Sequence, residues 1–256
     1  MGAVFSWVNA LEGAGVSLSA SSEAPGLGVQ SVLSTTIADV WRSDLGGSAT
    51  HRIGANLGAA KPLRVFAAAM PRDGVLPGPG ATWRVRVSNV AIGQSEVLNS
   101  GVLPADGGRG TLAFLAPATV SGRYVQFSFY GAASDPYLQL GRVWAGEALV
   151  TQRNPSYGWQ RGVLDTGSSE RAAISGVRSV QRGAVARTLA FDLLLTGAEA
   201  DALDRIALAA GTSGQILAAP FDNMGRAMFG RLAAPLAPSQ TSKPAFTTKV
   251  SLEEDF

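Results

Sequence analysis

The sequence predicts an all-β chain in two halves, with one α-helix in the second. Three observations carry that prediction. The 31 Gly and 13 Pro of this 256-residue chain are spread along its length between short apolar runs instead of being gathered in one tract, the punctuation of many short strands. Thr82-Trp83-Arg84-Val85-Arg86-Val87-Ser88 alternates strictly, with Trp83, Val85 and Val87 on one face and Arg84, Arg86 and Ser88 on the other. Thr196-Gly197-Ala198-Glu199 is a capping box, and no second helix start of that quality occurs.

The elements follow in order. Residues 18–22 and 25–35 read as a strand, a Pro-Gly turn and a short segment, and residues 37–42 end in Trp41-Arg42. Asp44 to Ala49 form a polar turn. His51 to Gly58 alternates, and Leu63 to Met70 is an apolar strand bounded by Pro62 and Pro71. A loop rich in Gly and Pro, from Asp73 to Gly80, leads to the alternating strand at Thr82. Leu112–Leu115, Arg123–Tyr130 and Leu138–Ala145 are further strands. After Gly146 come a turn carrying Tyr157 and Trp159, then strands at Val177–Arg182 and Arg187–Leu195. The helix, 196–210, shows an apolar stripe of Ala202, Leu203, Ile206 and Ala210, and Gly211 stops it. Ile216–Pro220, Met228–Leu236 and Ala245–Leu252 are the last strands, and a change of texture near residue 148 divides the chain into 1–147 and 148–256.

Composition excludes several functions. Hydrophobic residues make up 46% and charged residues 16%, enough for true cores. The net charge is +2, and the basic residues are dispersed, so no stripe for nucleic acid is present. With no cysteine there is no disulfide framework or thiolate metal site. No basic residue precedes Arg42 and no apolar run approaches a membrane span, so neither a signal peptide nor a spanning helix is expected.

Catalytic groups are scarce. The one histidine, His51, reads as a strand-end polar residue without a triad pattern around it. Glu147, Asp135, Asp165 and Glu170 are the carboxylates available for acid-base work, and nothing favours a particular pair. No phosphate-binding glycine loop and no metal-ligand grouping occurs, so the chain reads as a protein that is not an enzyme and needs no cofactor. Arg84 and Arg86 either face solvent or meet a ligand or a neighbouring subunit. Trp41, Trp83, Trp144 and Trp159 have faces suited to stacking on sugar rings, but Trp83 and Trp144 sit in alternating strands and read as core. Trp159, in a turn, is the better candidate for exposure.

Residues 18–146 resemble the galactose-binding-like (discoidin) jelly roll found in tail proteins of double-stranded DNA bacteriophages. The run that carries the resemblance is Ala20-Ser21-Ser22-Glu23, Val40-Trp41-Arg42-Ser43, Ile53 to Gly58, Ala81 to Arg86, and Tyr137-Leu138-Gln139-Leu140-Gly141-Arg142-Val143-Trp144-Ala145-Gly146. The second half resembles distal-tail ring domains, a β-sandwich of tail-tube-like type with one flanking helix, through Leu189 to Ala210, Gly211 to Leu217 and Ser251 to Glu254. The resemblance implies a non-enzymatic structural protein of a phage tail tip or baseplate, made in the host cytoplasm and resident in the virion. Its partners would be other tail proteins and further copies of itself in a symmetric oligomer, with host surface glycan as a possible ligand. The alternative is a carbohydrate-binding receptor-recognition module. The ligand surface is expected at Trp41, Arg84, Arg86, Tyr137 and Trp159, and the assembly contacts at Tyr157, Trp159, Phe229 and Phe256.

Overall fold

A computed structural model describes residues 2–44, 50–71, 74–105, 110–156, 158–171, 178–181, 183–242 and 245–255. The first half contains β1 (Val4–Ser6), β2 (Ser17–Ala20), β3 (Trp41–Arg42), β4 (Thr50–Ala69), β5 (Thr82–Ala91), β6 (Gln94–Asn99), β7 (Leu103–Pro104), β8 (Thr111–Tyr130), β9 (Gln139–Leu140) and β10 (Arg142–Gly146). Then come β11 (Leu149–Val150), β12 (Gln160–Asp165), β13 (Ser168–Arg171), β14 (Arg178–Gln181), β15 (Val185–Leu195), helix α1 (Gly197–Ala210), β16 (Ile216–Ala219), β17 (Met228–Leu232), β18 (Ser239–Ser242) and β19 (Ala245–Glu254). The chain is all-β, and α1 is the only α-helix among the described residues.

The jelly-roll half is built on two long antiparallel strands. The twenty-residue strands β4 and β8 pair along their length, with register shifts between Asn56 and Lys61 and between Leu63 and Val65. Such irregularities bend paired strands and let them turn a corner from one leaf to the next. The first half of β4 and the last half of β8 therefore form one leaf with β2, β5, β6 and β7; the remaining halves form the other with β10. Residues of both leaves share one core, which contains Ile53, Phe66, Val85, Phe127 and Val143. Phe66 meets Phe127 edge-on across it, with ring centroids 6.4 Å apart.

The second sheet runs β11-β1-β16-β17-β19-β15-β12, with β18 on β19. Strand β1 lies by sequence in the expected unit 1–147, yet all its partners lie beyond residue 148. Val4 pairs Val150 and Ala219, and Phe5 pairs Leu149 and Ala218. One face of this sheet, with Phe5, Phe191, Leu193 and Leu252, packs beneath Leu203 and Ile206 of α1. The other, with Val4, Leu217 and Phe229, stacks on Val65, Ala67 and Trp144 of the jelly roll's outer leaf. That leaf is covered on both faces, so β10 is buried throughout and Phe66-Ala67-Ala68-Ala69 reads as an unbroken apolar run instead of an alternation.

Helix α1 begins where the capping box places it. The Thr196 hydroxyl accepts from the Glu199 N–H, and the Glu199 carboxylate accepts from the Thr196 N–H at 2.7 Å. Gly211 ends it at φ 54°, in the left-handed region that favours glycine.

Candidate functional site

A recess opens at the end of the jelly roll where β4 and β5 begin and β8 ends. The register brings the three strand ends together: Thr50 and Thr82 both lie opposite Tyr130, and His51 lies opposite Phe129, which is opposite Trp83. Ala81, Ala105, Phe129 and Leu138 supply apolar walls, while His51, Thr82, Tyr130 and Tyr137 supply polar groups. The space it leaves to a water-sized group is only about 10 Å³ before it widens into open solvent, so a ligand would rest on the rim with little of it inserted.

The loops above the recess are fixed by Asp135. One carboxylate oxygen accepts from the Gly78 N–H at 2.9 Å and the other from the Ala132 N–H at 2.8 Å. This tethers the loop before β5 to the one after β8. The backbone N–H of Leu138 donates to the Ser43 hydroxyl at 2.9 Å, and the Ser43 N–H returns a bond to the Leu138 carbonyl. Tyr137 is braced by the Arg42 guanidinium, 4.9 Å from its ring centroid. Below, Phe129 stacks on Trp83 at 6.4 Å. The walls are thus held before any ligand arrives.

His51 is buried. Desolvation lowers its pKa below the ordinary 6.5, against an opposing pull from Asp44, so its imidazole is neutral at pH 7. Neutral imidazole, hydroxyl and phenol are groups that donate to and accept from hydroxyls. The lone carboxylate of the recess, Asp135, has both oxygens engaged by backbone N–H groups, which suits it to holding loops and not to proton transfer.

The five residues expected at a ligand surface are not brought together. Tyr137 alone lines the recess. Trp41 is fully buried, its indole N–H donating to the Ser22 carbonyl at 3.1 Å, so it offers no face to a ligand; the Trp-Arg pattern marks a core residue here. Arg84 and Arg86 lie on the outer face of their leaf, opposite the buried Trp83, Val85 and Val87. There Arg84 donates to Asn99 at 3.0 Å, Asn99 donates to Glu96, and Arg86 pairs with Glu96 at 3.1 Å and donates to Gln126. Trp159 immediately precedes β12 and packs against the core of the second sheet, edge-on to Phe221 at 5.9 Å and under the Arg226 guanidinium at 4.6 Å.

Of the expected assembly contacts, Phe229 is buried against Trp144, with centroids 5.9 Å apart. It joins the two halves of this chain and presents nothing to another. Trp159 is half-buried beside a cleft that includes Arg161, Arg187 and Arg226. Tyr157 and Phe256 lie outside the described residues. His51, Thr82 and Tyr130 were missed as site residues. Each read correctly as a strand end, but only the registers of three strands separated by up to 80 positions place them around one opening.

No protein-family model and no curated protein matches the chain. Solved structures do. The family 32 carbohydrate-binding module of C. perfringens NanJ in complex with galactose is 14% identical, with a TM-score of 0.44 over 56% of this chain and 99% of that one. A mutant lectin domain of lectinolysin complexed with Lewis b is 17% identical, with a TM-score of 0.42 over 52% and 92%. A GH29 fucosidase of Ruminococcus gnavus in complex with fucose is 12% identical, with a TM-score of 0.46 over 56% of this chain but 27% of its own. Each likeness spans about half of this chain.

Proposed function

We propose that the jelly-roll half is a non-catalytic glycan-binding unit that takes the edge of a neutral sugar on the rim of the recess formed by Tyr137, Thr82 and Tyr130. The galactose and Lewis b of the similar structures are those proteins' ligands. The reading for this chain is carried by one observation of its own, an opening that combines apolar and aromatic walls with uncharged hydrogen-bonding groups. Sugar C–H surface packs on the ring of Tyr137, and hydroxyls bond to Thr82 and Tyr130, while the buried Phe129 and His51 form the floor beneath them. The shallow opening limits each site to weak binding, so several copies would be needed for firm attachment.

The test is a glycan array with the protein displayed multivalently, followed by calorimetry on the best neutral sugar. Tyr137→Ala and Thr82→Val are each expected to weaken binding about tenfold, the scale of one lost aromatic contact or hydrogen bond in a desolvated site. Arg84→Ala, on the outer face, leaves it unchanged. An array without hits overturns the reading.

A second reading, a structural protein of a phage tail tip or baseplate resident in the virion, is favoured by a different observation. Strands β13 and β14 form a separate two-stranded ribbon whose eight described residues are all exposed. An isolated ribbon is marginally stable in water, so one reaching from the end of β12 gains by lying against a neighbouring protein. Microscopy of particles from the source, with this chain located at the tail tip or missing, decides it.

A further inference from the structure

The outer edge of β12 has no strand paired to it among the described residues. It is the terminal strand of the eight-stranded sheet, and all six of its residues are exposed, Val163 by 68% and Leu164 by 41%. Exposed edges are ordinarily blunted by lysine, proline, bulges or brevity. The other end of this sheet, β11, has two residues, and β6 of the jelly roll carries two register shifts. By contrast, β12 matches β15 over six consecutive positions with no shift, and contains neither proline nor lysine.

We propose that β12 docks antiparallel on β12 of a second copy of this chain, with Val163 on the two-fold axis. In that register Arg161 lies opposite Asp165 of the other copy, and Asp165 opposite its Arg161. Val163 meets Val163, and these residues share one face because they alternate along the strand. On the other face Leu164 lies opposite Gly162, twice over, so the larger side chain of each pair meets a residue with none. The sequence of one strand thus contains both halves of the match. A shift of two positions sets Arg161 or Asp165 opposite Val163 and leaves the charges unpaired; a shift of one moves every side chain to the wrong face.

The groups are available for this. Among the described residues neither Arg161 nor Asp165 has an ion-pair partner within the chain. Asp165 accepts from the Gly167 N–H at 2.8 Å through one oxygen, and its other oxygen has no hydrogen-bond partner among the described residues. Arg187, paired with Glu254, and Arg226, stacked on Trp159, line the same cleft as Arg161. A two-fold contact closes on itself as a dimer and builds no ring, so this inference is independent of both functional readings.

Sedimentation equilibrium of the full chain tests it. The wild type is expected to dimerise in the micromolar range. Arg161→Asp and Asp165→Arg, each creating two like-charge oppositions, are each expected to raise the dissociation constant about tenfold or more. The double variant, which restores both pairs with the signs exchanged, should return it to near the wild-type value. All sites are exposed, and unchanged circular dichroism confirms the fold. A monomer at every concentration, a dimer indifferent to Arg161→Asp, or a double variant no better than the singles overturns the proposal.

Discussion

Among single side chains, Arg142 concentrates the most interactions in the least accessible place. Its side chain is 1% exposed, donates to the Leu33 and Ser34 carbonyls, pairs with Glu12 and lies 5.5 Å from the Trp144 ring. Burial lowers its pKa, with Glu12 pulling the other way, but a guanidinium stays charged at any ordinary pH. Replacing Arg142 by Met removes the donors of two carbonyls and is expected to cost about 2–4 kcal/mol, measured by urea unfolding. Arg142→Lys recovers less than half, because an ammonium cannot span both carbonyls and the carboxylate. The Gly141-Arg142-Val143-Trp144 run was visible in the sequence as a pattern, but its cause was not: Glu12 and Leu33 are more than 100 positions away. Gly141 belongs to the same arrangement, since a β-carbon there would run into the Ile37 carbonyl oxygen.

At the scale of elements, local signals were read well and long-range ones were not. The alternation of Thr82–Ser88 gave β5 its apolar face, Trp83, Val85 and Val87, although Ser88 on the opposite face is buried where its hydroxyl donates to the Gln94 carbonyl; the capping box located α1, and both signals lie within a few residues. The segments His51–Gly58 and Leu63–Met70 read as two strands; they are one, bent where the ladder shifts register between Asn56 and Lys61 and again between Leu63 and Val65. Strands β12 and β13 gave no signal, since residues exposed on both faces show no periodicity. The capping box also links α1 to the chain before it. The Glu199 carboxylate accepts from the Gln152 N–H at 2.5 Å as well as from Thr196. Burial alone would raise its pKa, but the bonds from Thr196 and Gln152 prevail and hold it below the ordinary 4.5. A depressed carboxyl contributes stability that is present above about pH 4.5 and lost as the pH falls through the folded-state value. Glu199→Gln is therefore expected to cost about 1–2 kcal/mol at pH 7 and to flatten the fall in stability below pH 4.5, followed by denaturation across pH 3–7.

In the whole molecule, three cores lie in succession: between the jelly-roll leaves, between the outer leaf and the second sheet, and between that sheet and α1. The middle core, with Trp144 and Phe229 in contact and the Trp144 indole N–H donating to the Ser6 hydroxyl at 2.9 Å, ties the halves into one cooperative unit. Calorimetry of the full chain is expected to give one transition with equal calorimetric and van't Hoff enthalpies; two separated transitions would show the halves to be independent. The compositional change near residue 148 shows where the chain's texture alters, but the apolar layer across it was hidden, because Val65, Ala67 and Phe229 look like ordinary core residues of their own strands. Strand β1 gives this arrangement a temporal side. Val4–Ser6 emerge early in synthesis, while Leu217–Ala219, their partners in β16, follow roughly 210 residues later, about 10–40 s at ordinary elongation rates. The jelly roll can close during that wait, with β1 at most resting on β11. A nascent chain halted before residue 216 would carry a jelly roll whose outer leaf still lacks its cover from Leu217 and Phe229, and beside it a stray apolar strand, the state in which a chaperone or a wrong partner would find it.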